Sequence, residues 1–281
     1  MKKIDIICPL YNAEEFIKNL NESLIMQKKV SINKITYLLT ESKDKSEEIL
    51  KEIKADYKII KLNDFSHSKT REKAAFASNA DIVVFVTQDV VIKDDNWLYE
   101  LTKDLNDDIV ATYSRQITKY NNIEKYTRER NYPDKDSIVS KDDIDKLGLR
   151  TFFFSDAAGA FNLKVFKELK GYDGKDLPIS EDMYIAYKII MNGYKIKYCS
   201  KSVVYHSHNH TLKQTYDRYK LTGQFMKNNS YLNKYGTNHT GFDLAKYTLK
   251  RALKEHNIKV LLSWLPNMTA RYLGMKSGER K

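Results

Sequence analysis

The stretch "VVFVTQDVVIKDDNW", residues 83–97, sets the reading of the whole chain. A β-branched apolar run breaks off at Thr87-Gln88-Asp89, and a second apolar pair leads into an acidic turn. Two readings compete for Asp89: a polar residue that ends a buried strand, or a carboxylate that a strand delivers to a ligand. The flanking sequence bears on that choice.

Upstream, short apolar runs predict strands at 4–8, 35–39, 57–62 and 82–86, with a further one at 109–113. Helical spacing lies between them. Phe16, Ile17, Leu20 and Leu24 share one face of 13–26, Ile49, Leu50 and Ile53 share one face of 46–54, and 70–78 is rich in alanine. Such alternation with nearly continuous apolar strands predicts an α/β fold, a mostly parallel central sheet covered by helices on both faces. Ligands of such sheets bind beyond the carboxyl ends of the strands. That rule singles out 9–12, 40–44, 63–71 and 87–89.

Downstream, 115–150 is charged and weakly periodic and reads as an insertion over the sheet. "TFFFSDAAGAFNLKVFKEL", residues 151–169, runs from aromatic to small residues and then into a helix from about 163. Ile185, Ile189 and Ile190 predict a helix over 181–191 with Asn192-Gly193 as its C-cap, followed by strands at 195–198 and 203–205. The last fifty residues read as helical, broken at Pro266. The expectation is one catalytic domain over 1–230 and a basic amphipathic helical tail over 231–281.

Composition bounds the function. A chain of 281 residues with 42% hydrophobic content can bury a real core, which excludes a disordered protein. Its apolar runs of five or six residues fall far short of the roughly 20 that span a bilayer. The opening "MKKIDIICPLYN" is a poor signal peptide and a good first strand, so a cytoplasmic location is expected. Cys8 and Cys199 form neither a disulfide framework nor a zinc pattern and read as core residues. The net charge of +11 admits nucleic acid, anionic lipid and phosphorylated substrates as partners. Much of that excess sits in 248–281.

No glycine-rich dinucleotide loop, P-loop or nucleophile elbow is present. Three groups could carry chemistry. Asp89 suits a divalent cation such as Mg or Mn, which takes hard oxygen ligands from one or two carboxylates and substrate phosphates. Ser180-Glu181-Asp182 fits either a helix cap complemented by two acids or a general base held at a rigid helix start. His206, His208 and His210 alternate after a strand, which sends them to one side as metal or phosphate ligands or as a surface cluster.

In this order and spacing the motifs resemble the family 2 glycosyltransferases of the GT-A fold over roughly residues 3–225. They are "IICPLYNAEEFI", similar to the family's P-x-Y-N start; Glu41 after the second strand; "ADIVVFVTQD"; the small run 157–161; and "SEDM" followed by "NGYKIKY" and "VVYHSH". Within the family, "FSHSKTREKAAFASNADIVVFVTQDV", "SDAAGAF" and "VVYHSHNHT" look most like bacterial rhamnosyltransferases that build cell-surface polysaccharide from dTDP-rhamnose.

The resemblance implies an inverting transfer of a sugar from a nucleoside diphosphate to a hydroxyl of a glycan or lipid-linked acceptor. It places Pro9, Tyr11 and Glu41 around the nucleoside, and His67, Arg71 and Gln88 near the base, ribose or diphosphate. Asp89 matches the last acid of the family's D-x-D and would hold the metal, with His206 or His208 as a further ligand; Asp182 matches the base, with Glu181 beside it. Thr87 departs from the motif, standing where its first Asp is usual.

A UDP-sugar donor, a sugar-phosphate nucleotidyltransferase and a nucleic-acid binder are the competing readings. "CPLYNAEEF" lacks the glycine- and arginine-rich loop of the second, and the third rests on charge alone. The tail suits peripheral contact with the inner face of the plasma membrane, packing on the domain, or a homodimer contact.

Overall fold

A computed structural model describes residues 1–280. Its first part follows the predicted alternation: β1 (Lys3–Leu10), α1 (Ile17–Ile25), β2 (Ser31–Thr40), α2 (Ser46–Glu52), β3 (Asp56–Ile60), α3 (His67–Phe76) and β4 (Ile82–Val86). Side chains of these strands are buried on both faces where the sheet is central, so β4 carries no polar residue and is buried throughout. Ile6 of β1 lies beside Ile35 of β2 and Val84 of β4 in parallel register.

The chain then continues through β5 (Val91–Ile92), α4 (Trp97–Thr102), β6 (Ile109–Ile117), α5 (Ile123–Asn131), β7 (Ser137–Val139), α6 (Ile144–Leu147), β8 (Ala158–Asn162), α7 (Leu163–Glu168), α8 (Glu181–Met191) and β9 (Lys195–Tyr205). The sheet order is β3-β2-β1-β4-β8-β6-β9-β5, with β7 on β9. β3, β2, β1 and β4 are parallel, whereas β8 runs antiparallel to both β4 and β6. The parallel part is thus four strands and the remainder makes the sheet mixed. Periodicity reveals a strand but not its direction, which is why 109–117 did not announce its antiparallel pairing.

Strand order turns around at β1, with β2 and β3 on one side and β4 on the other. In open α/β sheets the crevice at such a reversal receives ligands. An aromatic block, Phe85, Phe154, Phe161, Phe166 and Tyr172, packs around β4 and β8 with ring centroids 5.0–6.0 Å apart. Cys8 and Cys199 are free thiols in the core.

Two local expectations change. Residues 195–205 form one strand rather than two, because the intervening Ser200 hydrogen-bonds Asp136 while Ser202 is buried, so the polar interruption is absorbed within the sheet. Ser180 precedes α8 in the left-handed region (φ 61°) and makes no side-chain cap, whereas Gly193 at φ 87° closes the helix as expected.

The described chain divides into two compact units. The first is Met1–Arg115, Asp134–Lys141 and Phe152–His206; the second is Gln116–Pro133, Asp142–Thr151 and the chain from Ser207 onward. The second unit is helical, joining α5 and α6 to α9 (Leu212–Asn228), α10 (Thr237–Lys254) and α11 (Ile258–Arg280). α9 and α11 pack backbone to backbone: a Cβ on Gly278 would run into the Lys220 carbonyl and lie 2.8 Å from Gln224 N. α11 runs through Pro266, and the break falls instead at His256, φ 51°. Pro266 is exposed, so water can serve the carbonyl that it leaves without a donor.

Candidate active site

The carboxyl ends of β1 and β4 are tied together by one side chain. Tyr11 N donates to Gln88 Oε1 (2.7 Å) and Gln88 Nε2 donates back to the Tyr11 carbonyl (3.0 Å). The amide thereby acts as an extra rung across the strand reversal, with both of its polar groups engaged. Beyond it the chain turns at Asn12, φ 46°, whose N donates to Ser42 Oγ (2.9 Å) and whose Oδ1 accepts from Lys43 N (3.1 Å). Pro9 is buried in β1, and Tyr11 projects from its end, 47% exposed. Glu41 follows β2 and accepts from Leu62 N (2.9 Å), pinning the turn after β3.

Asp89 lies on the same edge. Its Oδ2 is 3.3 Å from His206 Nε2, at the end of β9, with the imidazole almost buried and the carboxylate about one-third exposed. Cis ligands of a metal at 2.0–2.2 Å stand about 3 Å apart. A carboxylate oxygen and a ring nitrogen at this separation fit a divalent cation without rearrangement, and they also fit a simple hydrogen bond.

A second cluster sits behind this edge. Ser66 caps α3 by accepting from Lys69 N (3.3 Å), and the helix start is stitched to the 172–177 loop by Ser66 Oγ to Asp176 (2.8 Å) and Ser68 Oγ to the Lys175 carbonyl (2.6 Å). One turn along, Arg71 is buried, donating from Nη1 to the His67 carbonyl (2.8 Å) and standing 3.7 Å from Glu181. Its Nε hydrogen has no acceptor among the described residues. His67 itself is exposed and meets Phe65 edge to face.

Asp156 completes the cluster, a residue that sequence reasoning did not nominate. It is buried and accepts from the Tyr172 hydroxyl through Oδ2, while Oδ1 has no partner among the described residues. Burial and the Glu181 carboxylate push its pKa up to about 7, against the opposing pull of Arg71. Two carboxylates and one guanidinium share a largely buried site, so Asp156 gives up its proton only near neutrality. The signal was legible as a lone acid inside "FFFSDAAGAF". Its position is also telling: the Ala157 carbonyl accepts from Thr87 N (3.0 Å). An acid from the antiparallel neighbour therefore stands next to the position where β4 itself offers Thr87.

Asp182 opens α8 and is partly exposed, its Oδ1 accepting from Met183 N (2.8 Å). The structure thus pairs Asp89 with His206, Arg71 with Glu181, and Tyr11 with Gln88; Glu41 is engaged elsewhere. His208 belongs to the second unit, where it stacks on His210 at 4.9 Å and its Nδ1 is 3.5 Å from Arg128 Nη2.

Acids that suit a cation, a buried arginine with a spare donor and an open edge at the strand reversal suit a phosphorylated ligand. The model of Glycosyl transferase family 2 matches residues 5–170. The chain is 32% identical to the O-antigen chain rhamnosyltransferase RfbN of Salmonella typhimurium, covering 99% of this chain and 90% of that protein. It is 31% identical to the O-antigen chain rhamnosyltransferase WbaN of Salmonella anatum, with the same coverage. Its fold is similar to that of the mannosyltransferase PcManGT from Pyrobaculum calidifontis, solved with GDP-Man and Mn2+: TM-score 0.63, 12% identity, covering 98% of this chain and 85% of that one. The mixed sheet, the ligand edge at its strand reversal and these matches make the chain a GT-A enzyme that belongs to glycosyl transferase family 2.

Proposed function

We propose that the enzyme transfers rhamnose from dTDP-rhamnose to a hydroxyl of a glycan or lipid-linked acceptor in cell-surface polysaccharide synthesis, inverting the anomeric centre. Two O-antigen chain rhamnosyltransferases similar over nearly the whole chain support the sugar and the polymer. The observation that carries the chemistry is the 3.3 Å Asp89–His206 pair at the sheet edge.

Asp89 and His206 are the residues that would hold a divalent cation, which would supply charge neutralisation for a departing diphosphate. An imidazole beside a carboxylate departs from the all-oxygen shell that Mg prefers, so Mn is the expected ion. Pro9, Tyr11 and Glu41 would line the nucleoside position, and His67 would meet the phosphates, with the positive charge of the buried Arg71 behind it. Gln88 keeps β1 and β4 in register for them.

Asp182 takes the proton of the acceptor hydroxyl as that oxygen bonds to the anomeric carbon. The bond from this carbon to the phosphate oxygen breaks, and its electron pair leaves with dTDP. Glu181, held toward Arg71, orients the acceptor.

The test is turnover with dTDP-rhamnose against UDP- and GDP-sugars, each with Mn or Mg, and the product anomer read by NMR. Asp182→Asn is expected to lower kcat by about 10²–10⁴ while donor Kd holds. Asp89→Ala should weaken donor binding in the presence of metal and leave binding without metal unchanged. Full turnover by the Asp182 variant, or preference for another donor, would overturn the reading.

A further inference from the structure

α11 is apolar on more than its packed side: Val260, with Leu261, Trp264 and Met268, already packs inward against Ile123, Tyr126 and Ala252. Further along, Gly274 and Gly278 pack on α9, and Asn267 and Arg271 are buried with them. Arg271 is satisfied there by Asn267 (2.7 Å), the Tyr219 hydroxyl (3.0 Å) and Glu124 (3.6 Å). The opposite face is apolar and open: Ile258 is 69% exposed, Leu262 77%, Leu265 65%, Tyr272 60% and Leu273 51%. At 100° per residue these five fall within about 100° of arc, and they run along about 23 Å of helix. Soluble helices place such a stripe toward the core. A contiguous outward stripe marks an interaction surface.

Charge says what covers it. From 237 to 280 the chain has eight lysines and arginines and three acids, of which Asp243 pairs with Arg130 and Glu279 with Lys276. Glu255 is already taken by Lys125 and Arg251. Lys246, Lys250 and Lys254 stand exposed at successive turns of α10, near exposed Phe242 and Leu253, and Lys259 is exposed on α11. A second copy of this chain would bring the same basic stripe against itself, because a two-fold contact is self-complementary. An anionic bilayer is complementary to both elements at once: the leucines enter the headgroup boundary and the lysines meet the lipid phosphates. No helix among the described residues is long and apolar enough to cross a membrane, so α11 would lie in the plane of the interface.

We propose that the outward face of α11, flanked by the lysines of α10, docks the enzyme on an anionic lipid surface. The inference rests on this face alone and does not depend on the donor or the catalytic assignments.

The experiment is co-sedimentation of the full chain with phosphatidylcholine vesicles, with and without phosphatidylglycerol. Binding is expected only with the anionic lipid and should fall steeply with salt. The triple change Lys246→Gln, Lys250→Gln, Lys254→Gln should weaken it about 100-fold, from about fivefold per lysine. Leu262→Asp with Leu265→Asp should abolish it while leaving Tm unchanged, since both side chains are exposed. Equal binding to neutral vesicles, no binding to either, or unchanged binding by both variants would overturn the proposal. So would a dimer in sedimentation equilibrium that Leu262→Asp converts to monomer, which would assign the face to a second copy.

Discussion

Replacing Asp156 with Asn tests the charge balance buried beneath the site. The Asp156 carboxyl is 2% exposed, accepts from the Tyr172 hydroxyl, and has its pKa pushed up to about 7 by burial and by Glu181. In the unfolded chain the same group titrates near 3.9. The folded state therefore binds the proton more tightly. Its contribution to stability is fully present below about pH 4 and is lost as the pH rises through about 7. A difference of roughly three units at 1.4 kcal/mol each amounts to about 4 kcal/mol across that window. Asn cannot ionise and still offers Tyr172 an acceptor, so the variant lacks this loss. Urea unfolding at pH 5 and pH 8 should show the native protein losing about 2–4 kcal/mol more than Asp156→Asn between the two conditions. Parallel profiles for the two proteins would refute the reasoning. They would mean that Asp156 is ionised in the fold and that its attraction to Arg71 outweighs the cost of burial.

Two further outcomes follow from the packing. Gly278→Ala puts a methyl group into the α9 backbone, with the Lys220 carbonyl and Gly223 Cα (2.9 Å) in its way, so it should destabilise by about 1–3 kcal/mol. Gly241→Ala in α10 meets nothing within 4 Å and should instead stabilise by about 1 kcal/mol; thermal unfolding of the pair checks the sign of each. Glu72 accepts from the backbone N–H groups of Tyr172 and Gly174, so Glu72→Ala leaves two donors unmet and should cost about 1–3 kcal/mol for each that stays dry. Glu72→Gln, which keeps an acceptor, should recover most of that loss in chemical denaturation.

Much of the fold was legible because its signals are local. The run 82–86 is continuous and apolar, and β4 occupies those residues; the spacing over 181–191 and the Asn192-Gly193 stop give α8 its observed bounds. Charge and helical spacing also marked the C-terminal segment as basic and helical. The division of the chain was less accessible. Residues 116–133 and 142–151 join the helices after Ser207 through contacts such as Tyr247 with Glu129 (2.7 Å) and Gly148 with Tyr235, which no periodicity encodes.

At the site the same boundary holds. By itself the sequence determined that strands end at residues 9–12 and 87–89, that Asp89, Glu181 and Asp182 stand at element ends, and that their order resembles a family of sugar transferases. Apolar periodicity and cap residues act over a few positions, so they can be read from the chain as it is written. Tertiary structure alone decided that Gln88 spends its amide on Tyr11, that Asp89 faces His206, and that Asp156 shares a buried proton balance with Arg71 and Glu181. It alone decided which way the leucines of α11 point. Those outcomes depend on distance and burial between residues far apart in the chain, and a carboxyl group acquires its proton affinity only from the neighbours that folding brings to it.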